Sequence, residues 1–182
     1  MGRVRLATMW LGGCSGCHMS FLDLDEFLVD LADKVEVVYS PVVDAKEFPE
    51  NVDVTLIEGA ICNEENLEMA RTIRKNSKVV ISFGDCAVTA NVPSMRNGLG
   101  PNNAELVLKR AYLDNGDLNA QIPKAEGIVP ILEERVEPVH AVIPVDIYLP
   151  GCPPPADRIK KIVSQLLAGE AAHLVGRDIK FG

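Results

Sequence analysis

The sequence lacks an excess of basic charge. Lys and Arg together number 18, against 26 Asp and Glu, and the formal net charge is −8 at pH 7. The basic residues are scattered along the chain and form no stripe, so the electrostatic footprint of a nucleic-acid-binding protein is missing. We therefore expect no nucleic-acid partner.

Long apolar runs are also missing. No stretch approaches the roughly 18 apolar residues that a membrane span requires. The opening residues 1–6 run into a strand-like stretch without a cleavable apolar region, so no export leader is expected. No internal repeat, low-complexity tract or linker marks a second domain. The sequence predicts one cytoplasmic domain over residues 1–182, with no membrane segment.

Short apolar strands alternate with amphipathic helices along most of the chain. Strands are predicted at 3–11, 35–39, 52–57, 78–83 and 145–149. Helices are predicted over 18–31, from the N-cap Asn63 to about Ser77, over 104–115 and from about 156 to a stop at Gly169. This alternation predicts an α/β fold with a flavodoxin-like, doubly wound, mostly parallel sheet and helices on both faces. Residues 91–138 have no clear period outside the 104–115 helix, and we interpret them as an irregular, partner-facing segment.

Five cysteines in a cytoplasmic chain favour a metal site over disulfides. Cys14, Cys62, Cys86 and Cys152 each follow a predicted strand, and Cys17 belongs to the first of these loops. In an open parallel sheet, the loops that follow the strands share one edge, where ligands bind. Cysteines that are far apart in sequence are therefore expected to converge there.

The spacing of Cys14 and Cys17 suits two thiolates that hold one metal centre. The helix predicted just after Cys17 turns its N-terminus toward the loop, which favours thiolate charge. Cys152 is followed by Pro153, a pairing that is also found in ferredoxin cluster runs.

Three chemistries remain open for these cysteines at this point. A thioredoxin-like redox pair could use Cys14 and Cys17 alone. A structural zinc site usually draws on two compact knuckles, whereas Cys86 and Cys152 are isolated. An iron–sulfur cluster accommodates both closely spaced and isolated cysteine ligands and is favoured. Cys62 is interpreted as a small buried hydrophobic residue.

Two other residues near the predicted loops carry two interpretations each. His18 either hydrogen-bonds a cluster or is a partly exposed structural residue. Glu58 either relays protons or caps a neighbouring helix. Asp85 is interpreted as a turn residue, and Trp10 as part of the core.

Four motifs stand in order along the chain. They are Trp10-Leu-Gly-Gly-Cys-Ser-Gly-Cys17, Glu58-Gly-Ala60, Gly84-Asp-Cys-Ala87 and Gly151-Cys-Pro-Pro154. Together they resemble the small subunit of nickel–iron hydrogenases, and the cluster-bearing subunit of respiratory complex I shares much of this layout. The complex I relative typically has adjacent cysteines in its first motif. The separated Cys14 and Cys17 therefore favour the hydrogenase type.

The resemblance implies a ligand set. In that family one proximal [4Fe–4S] cluster is held by four cysteines, and the matching positions are Cys14, Cys17, Cys86 and Cys152. Cys62 is left over. No residue of this chain is then expected to break a bond in the substrate, and Glu58 is the only candidate for proton movement.

The resemblance also implies partners. A large subunit would carry the nickel–iron centre, and diaphorase subunits with FMN and further iron–sulfur clusters would reduce NAD. The chain has neither the leader nor the additional cluster cysteines of membrane-associated relatives, which favours the soluble NAD-reducing type. A hydrogen-sensing or ferredoxin-linked hydrogenase and a zinc-stabilised interaction module remain as alternatives.

Overall fold

The computed structural model describes residues 2–172 and 174–181. Its strands are β1 (Val4–Trp10), β2 (Val35–Tyr39), β3 (Val52–Glu58), β4 (Ile61–Asn63), β5 (Ser77–Phe83), β6 (Leu132–Glu137) and β7 (Ile147–Leu149). Its α-helices are α1 (Gly16–Leu22), α2 (Glu26–Ala32), α3 (Glu64–Asn76), α4 (Asp85–Thr89), α5 (Asn103–Lys109), α6 (Val139–Val142) and α7 (Ala156–Leu167). Short 3₁₀ segments lie at Val92–Leu99 and Gly176–Asp178, and a π turn at Arg110–Asp114 extends α5.

Five parallel strands form the main sheet in the order β2-β1-β3-β5-β7. Counted within this sheet alone, the order is the flavodoxin-like 2-1-3-4-5, and the strand order reverses beside β1 and β3. The predicted fold class is therefore confirmed. No helix among the described residues has the length and apolar character needed to cross a bilayer.

Apolar side chains cover both faces of the sheet, because successive residues of a strand point to opposite sides. On one face, Leu56 and Phe83 pack with Ile159 and its neighbours in α7 and with residues of α1 and α2. On the other face, Ile57 and Val80 pack with residues of α3, α4 and α6. Burial on both faces explains why these strands read as continuous apolar runs.

The helix predicted over 18–31 is two helices. α1 ends at Leu22, and α2 begins at Glu26 after Asp25, whose φ is 49°. A short polar side chain such as that of Asp tolerates this left-handed turn, and the apolar period alone gave no sign of it.

The segment 91–138 is more regular than the sequence predicts. It contains the 3₁₀ segment, α5 with its π turn, and β6, which pairs antiparallel with β4. β6 was missed because its sequence, Leu-Glu-Glu-Arg-Val-Glu, has no apolar alternation. β4 was missed because it is only three residues long. The predicted strand 145–149 is shorter than expected and begins at Ile147.

Candidate metal centre

Four cysteines lie together at the carboxyl edge of the main sheet. Cys14 is in the loop after β1, Cys17 is in α1, Cys86 is in α4 directly after β5, and Cys152 follows β7. The thiol of Cys17 is within electrostatic reach of the other three. We refer to Cys14, Cys17, Cys86 and Cys152 as the four-thiol site. Cys17 is its buried member, whereas Cys14 and Cys152 are exposed, so the site opens to the surface on one side.

Burial and mutual repulsion both act on these thiols. Burial is the main reason that the pKa of Cys17 is raised above its usual range. The charge of Glu58 and then the other three thiols add to the effect. The pKa of Cys86 is raised to about 11, again chiefly by burial and next by Cys152 and Cys14. Four thiolates held this close would repel each other without positive charge between them, so the site is suited to a cationic metal centre.

Glycines allow the backbone to approach two of the sulfurs. Gly84 has a φ of +84°, and a Cβ built on it would lie 2.2 Å from Sγ of Cys17. A Cβ on Gly16 would lie 3.2 Å from Sγ of Cys14. Both glycines therefore let the backbone pass close to these thiols, where a side chain would collide with them.

Asp85 connects two of the cysteine loops. Its backbone N–H donates to the Gly151 carbonyl at 2.9 Å, and its Oδ1 accepts from the Gly151 N–H at 2.6 Å. The side chain is 5% exposed. Asp85 is thus more than the predicted turn residue, since it fixes the loop of Cys86 against the loop of Cys152. Its only signal in the sequence is its place directly before a cysteine.

The buried Glu58 pairs with the half-buried His18 beside the site. Glu58, at the end of β3, is 1% exposed, and its Oε2 accepts the backbone N–H of His18 at 3.0 Å. The Nδ1 of the His18 ring also bonds to Oε2. Because His18 stands in the first turn of α1, the capping interpretation of Glu58 is realised in the structure. The His18 Nε2 atom is buried without a hydrogen-bond partner.

Cys62 is placed apart from the four-thiol site. It lies in β4, and its Sγ is 4.0 Å from the Gly12 carbonyl. Burial raises the pKa of its thiol and Arg96 lowers it, and none of the other four thiols acts on it. It packs beside Ala60 and Val136 like a small apolar residue, but it is half-buried and not buried as predicted. Trp10 differs from prediction, because it is 45% exposed at the end of β1 instead of lying in the core.

The arrangement differs from that of a site for one ion. Within the described residues, no group of three or more His, Cys, Asp and Glu side chains is placed to hold a single metal ion. A zinc ion needs its thiolates at about 2.3 Å from one point. A [4Fe–4S] cluster instead takes one thiolate on each of four irons, so its ligands stand further apart. Four thiolate donors are the set that a [4Fe–4S] cluster takes, so the residues of the four-thiol site fit such a group.

Comparison with known proteins gives a consistent set of relatives. Residues 14–166 match the family described as NADH ubiquinone oxidoreductase, 20 Kd subunit. The chain is 37% identical to the NAD-reducing hydrogenase HoxS subunit delta of Cupriavidus necator, over 95% of this chain and 83% of that subunit. It is 42% identical to a subunit of the F420-non-reducing hydrogenase of Methanothermobacter marburgensis. That match covers 97% of this chain but only 58% of the relative.

Solved structures agree with these relatives. A chain in the crystal structure of an NAD⁺-reducing [NiFe]-hydrogenase in the H₂-reduced state superposes with a TM-score of 0.92 and 36% identity. That match covers 100% of both chains. A [NiFeSe]-hydrogenase from Dm. baculatum superposes with a TM-score of 0.57 at 18% identity, over 98% of this chain and 69% of that one, which supports the fold alone.

Proposed function

Because this chain belongs to the family described as the 20 Kd subunit of NADH ubiquinone oxidoreductase, we propose that it is the electron-transfer small subunit of a nickel–iron hydrogenase. The resemblance predicted from the cysteine motifs is confirmed by relatives that are hydrogenase subunits. In this proposal the four-thiol site holds one [4Fe–4S] cluster. The observation that carries the proposal is that these four thiols converge at one sheet edge. The fifth thiol, Cys62, lies apart from them.

The residues of the site have distinct tasks in this proposal. The four thiols lose their protons when they bind iron, and the positive charge of the metal offsets their repulsion. Gly84 keeps the space beside Cys17 open, and Asp85 fixes two of the loops. When bound, the cluster supplies one-electron transfer. The chain itself positions it and sets its surroundings.

Exposed apolar side chains in segment 91–138 support a large partner. Residues 92–131 expose several large apolar side chains, among them Met95, which is 74% exposed, and Leu118, which is 96% exposed. Exposed apolar surface of this kind marks protein interfaces. We propose that segment 91–138 contacts the hydrogenase large subunit, which would carry the nickel–iron centre. We propose that the protein is cytoplasmic and receives its cluster there, since thiols stay reduced in the cytoplasm.

The proposed final electron acceptor is NAD, which would be reduced by FMN-bearing diaphorase subunits. Two matches support this choice, namely the HoxS subunit delta and the NAD⁺-reducing enzyme. The F420-non-reducing relatives, to one of which the chain is 42% identical, are named only for an acceptor that they do not reduce. The purified complex should therefore be assayed with hydrogen and NAD, and in parallel with NADP and ferredoxin. Reduction of another acceptor in place of NAD would reject this part of the proposal, and the assignment of the cluster to the four-thiol site would still stand.

Glu58 is proposed to move protons in addition to its capping role. Its carboxylate is buried and within electrostatic reach of Cys17 and Cys86. The Glu58→Gln variant keeps an acceptor for the His18 N–H but cannot ionise. In the purified complex, this variant should slow the exchange of deuterium between D₂ gas and water, while the cluster content stays the same. An unchanged exchange rate would leave Glu58 with the capping role only.

The ligand set can be tested by single substitutions. Replacing Cys14, Cys17, Cys86 or Cys152 with Ala should lower the iron and sulfide content of the purified subunit and remove the cluster's electron paramagnetic resonance (EPR) signal. Cys62→Ala is the matched control, and it should retain both. A full iron content in Cys86→Ala, or loss of the cluster in Cys62→Ala, would contradict the assignment.

A further inference from the structure

A strained turn follows α4, next to the proposed cluster. Ala90 and Asn91 both have positive φ, 62° and 22°, although neither is glycine. Such backbone conformations are costly for residues with a Cβ and persist only where the surroundings hold them. Ser94 does so here, because its N–H donates to the carbonyls of both residues and its Oγ donates to the Asn91 carbonyl at 2.8 Å.

The turn directs donors at two sulfurs that come from different loops. The side-chain amide of Asn91 donates from Nδ2 to Sγ of Cys152 at 3.7 Å. The backbone N–H of the next residue, Val92, donates to Cys86. The strained backbone therefore has a visible result, which is a pair of donors facing the four-thiol site.

Hydrogen bonds to cluster sulfurs favour the reduced form. Reduction adds one negative charge to the cluster, and part of it resides on the thiolates, so a donor stabilises the reduced state more than the oxidised one. The Val92 donor belongs to the backbone and is present whatever the side chain is. The Asn91 donor is supplied by a side chain and depends on the residue at that position.

We propose that the turn Ala90–Val92 raises the reduction potential of the cluster, with Asn91 as the tuning residue. This inference rests on the proposed function, because it requires a cluster on Cys86 and Cys152. Cys152 lies on the open side of the site, so a partner that covers this side would exclude water and strengthen the bond from Asn91.

Two variants test the role of Asn91 in the purified hydrogenase complex. Asn91→Gly removes the amide and suits the positive φ, whereas Asn91→Asp keeps the shape and replaces the donor with a carboxylate. The matched control is Asn102→Gly, since Asn102 also has a positive φ, of 61°, and makes no capping bond with its side chain. The readout is an EPR-monitored redox titration, with the cluster signal identified by its loss in Cys86→Ala.

Both Asn91 variants should retain the cluster and show a more negative potential, with the larger shift in Asn91→Asp. At a fixed potential, the reduced-to-oxidised ratio should fall about threefold to tenfold in Asn91→Gly, which corresponds to roughly 28–59 mV for one electron. Asn102→Gly should match the wild type. Unchanged potentials in both Asn91 variants would overturn the inference, and so would loss of the cluster from both. Absence of a cluster from the wild-type subunit would instead reject the proposed function.

Discussion

Gly84 lies between β5 and α4, where its Cα faces the sulfur of Cys17. A side chain at this position would meet two obstacles. The backbone φ of +84° disfavours every residue with a Cβ, and the Cβ itself would stand 2.2 Å from Sγ of Cys17. The sulfur of a metal ligand cannot move aside freely once it is bound. We therefore expect that Gly84 is required by the four-thiol site and not by packing of the core.

We expect Gly84→Ala to lose the cluster. The left-handed backbone alone costs roughly 1–2 kcal/mol for a residue with a Cβ, and displacement of Cys17 would break one ligand bond. Iron content and thermal denaturation of the purified subunit provide the measurement. Gly98→Ala is the matched control, because a Cβ there meets nothing within 4 Å. Normal iron content in Gly84→Ala would show that the thiol can be accommodated elsewhere.

Single residues differ in how far the sequence predicts them. The convergence of cysteines at the carboxyl edge was predictable from their places after strands. The same rule also included Cys62, and only the family resemblance set it apart from the other four. Asp85 and Asn91 were not predicted as site residues. Their partners, Gly151 and Cys152, are more than 60 residues away, at a contact that no local pattern encodes.

Among the elements, the small β4–β6 sheet is held to segment 92–109 by polar side chains, Arg96 first among them. Arg96 donates to the carbonyls of Cys62 and Glu133 from Nη2, and its Nη1 donates to Oδ1 of Asn103. Asn97 adds a pair of bonds to the backbone of Val136, each 2.9 Å long. The 3₁₀ segment is therefore attached to β4 and β6 by side chains rather than by backbone pairing.

Arg96→Met should loosen this attachment without unfolding the main sheet. Methionine keeps much of the apolar stem but removes all of these donors, which leaves several carbonyls unsatisfied at a cost of roughly 1–3 kcal/mol. Hydrogen–deuterium exchange should speed up in residues 92–109 and 132–137, while β1, β3 and β5 keep their protection. Uniform loss of protection would mean that the β4–β6 sheet supports the whole fold. Lys109→Met, at an exposed position, is the control and should change neither region.

Elements with a clear period were predictable, and those specified by tertiary contacts were not. The helix α3 followed from its apolar spacing and from Asn63, whose side chain accepts the Asn66 N–H as an N-cap. The strand β6 did not, because it is charged and obtains its conformation from pairing with β4. The break at Asp25 likewise depends on a single backbone angle.

At the scale of the whole molecule, Asp53 connects the three central strands. It lies on β3, its Oδ2 accepts the N–H of Arg5 on β1 at 2.9 Å, and its Oδ1 pairs with Nζ of Lys78 on β5 at 2.7 Å. The bond from Lys78, followed by the bond from Arg5, lowers the pKa of this carboxyl. The site lies at the other end of the strands, so this residue contributes to stability and not to the cysteines.

We expect Asp53→Asn to lower the free energy of unfolding at pH 7 by about 1 kcal/mol, because the ion pair with an exposed lysine is partly screened. The folded pKa is depressed, so the stabilisation is present above the unfolded pKa of roughly 3.9 and is lost as the pH falls through the folded value. Denaturant titrations at pH 7 and near pH 3 should therefore show a difference that closes in acid. Asp44→Asn, at an exposed position, is the control. A difference that persists in acid would assign the effect to packing.

The four thiols are spread over most of the polypeptide, and this has a consequence for biosynthesis. About 135 residues separate Cys17 from Cys152. At translation rates of roughly 5–20 residues per second, the last ligand emerges about 7–27 s after the first pair. A nascent chain can therefore present a two-cysteine loop long before it can complete the ligand set. If the four-thiol site holds the proposed cluster, we expect its insertion to be post-translational or very late, and the waiting loop would need protection from oxidation and from premature capture of iron or zinc.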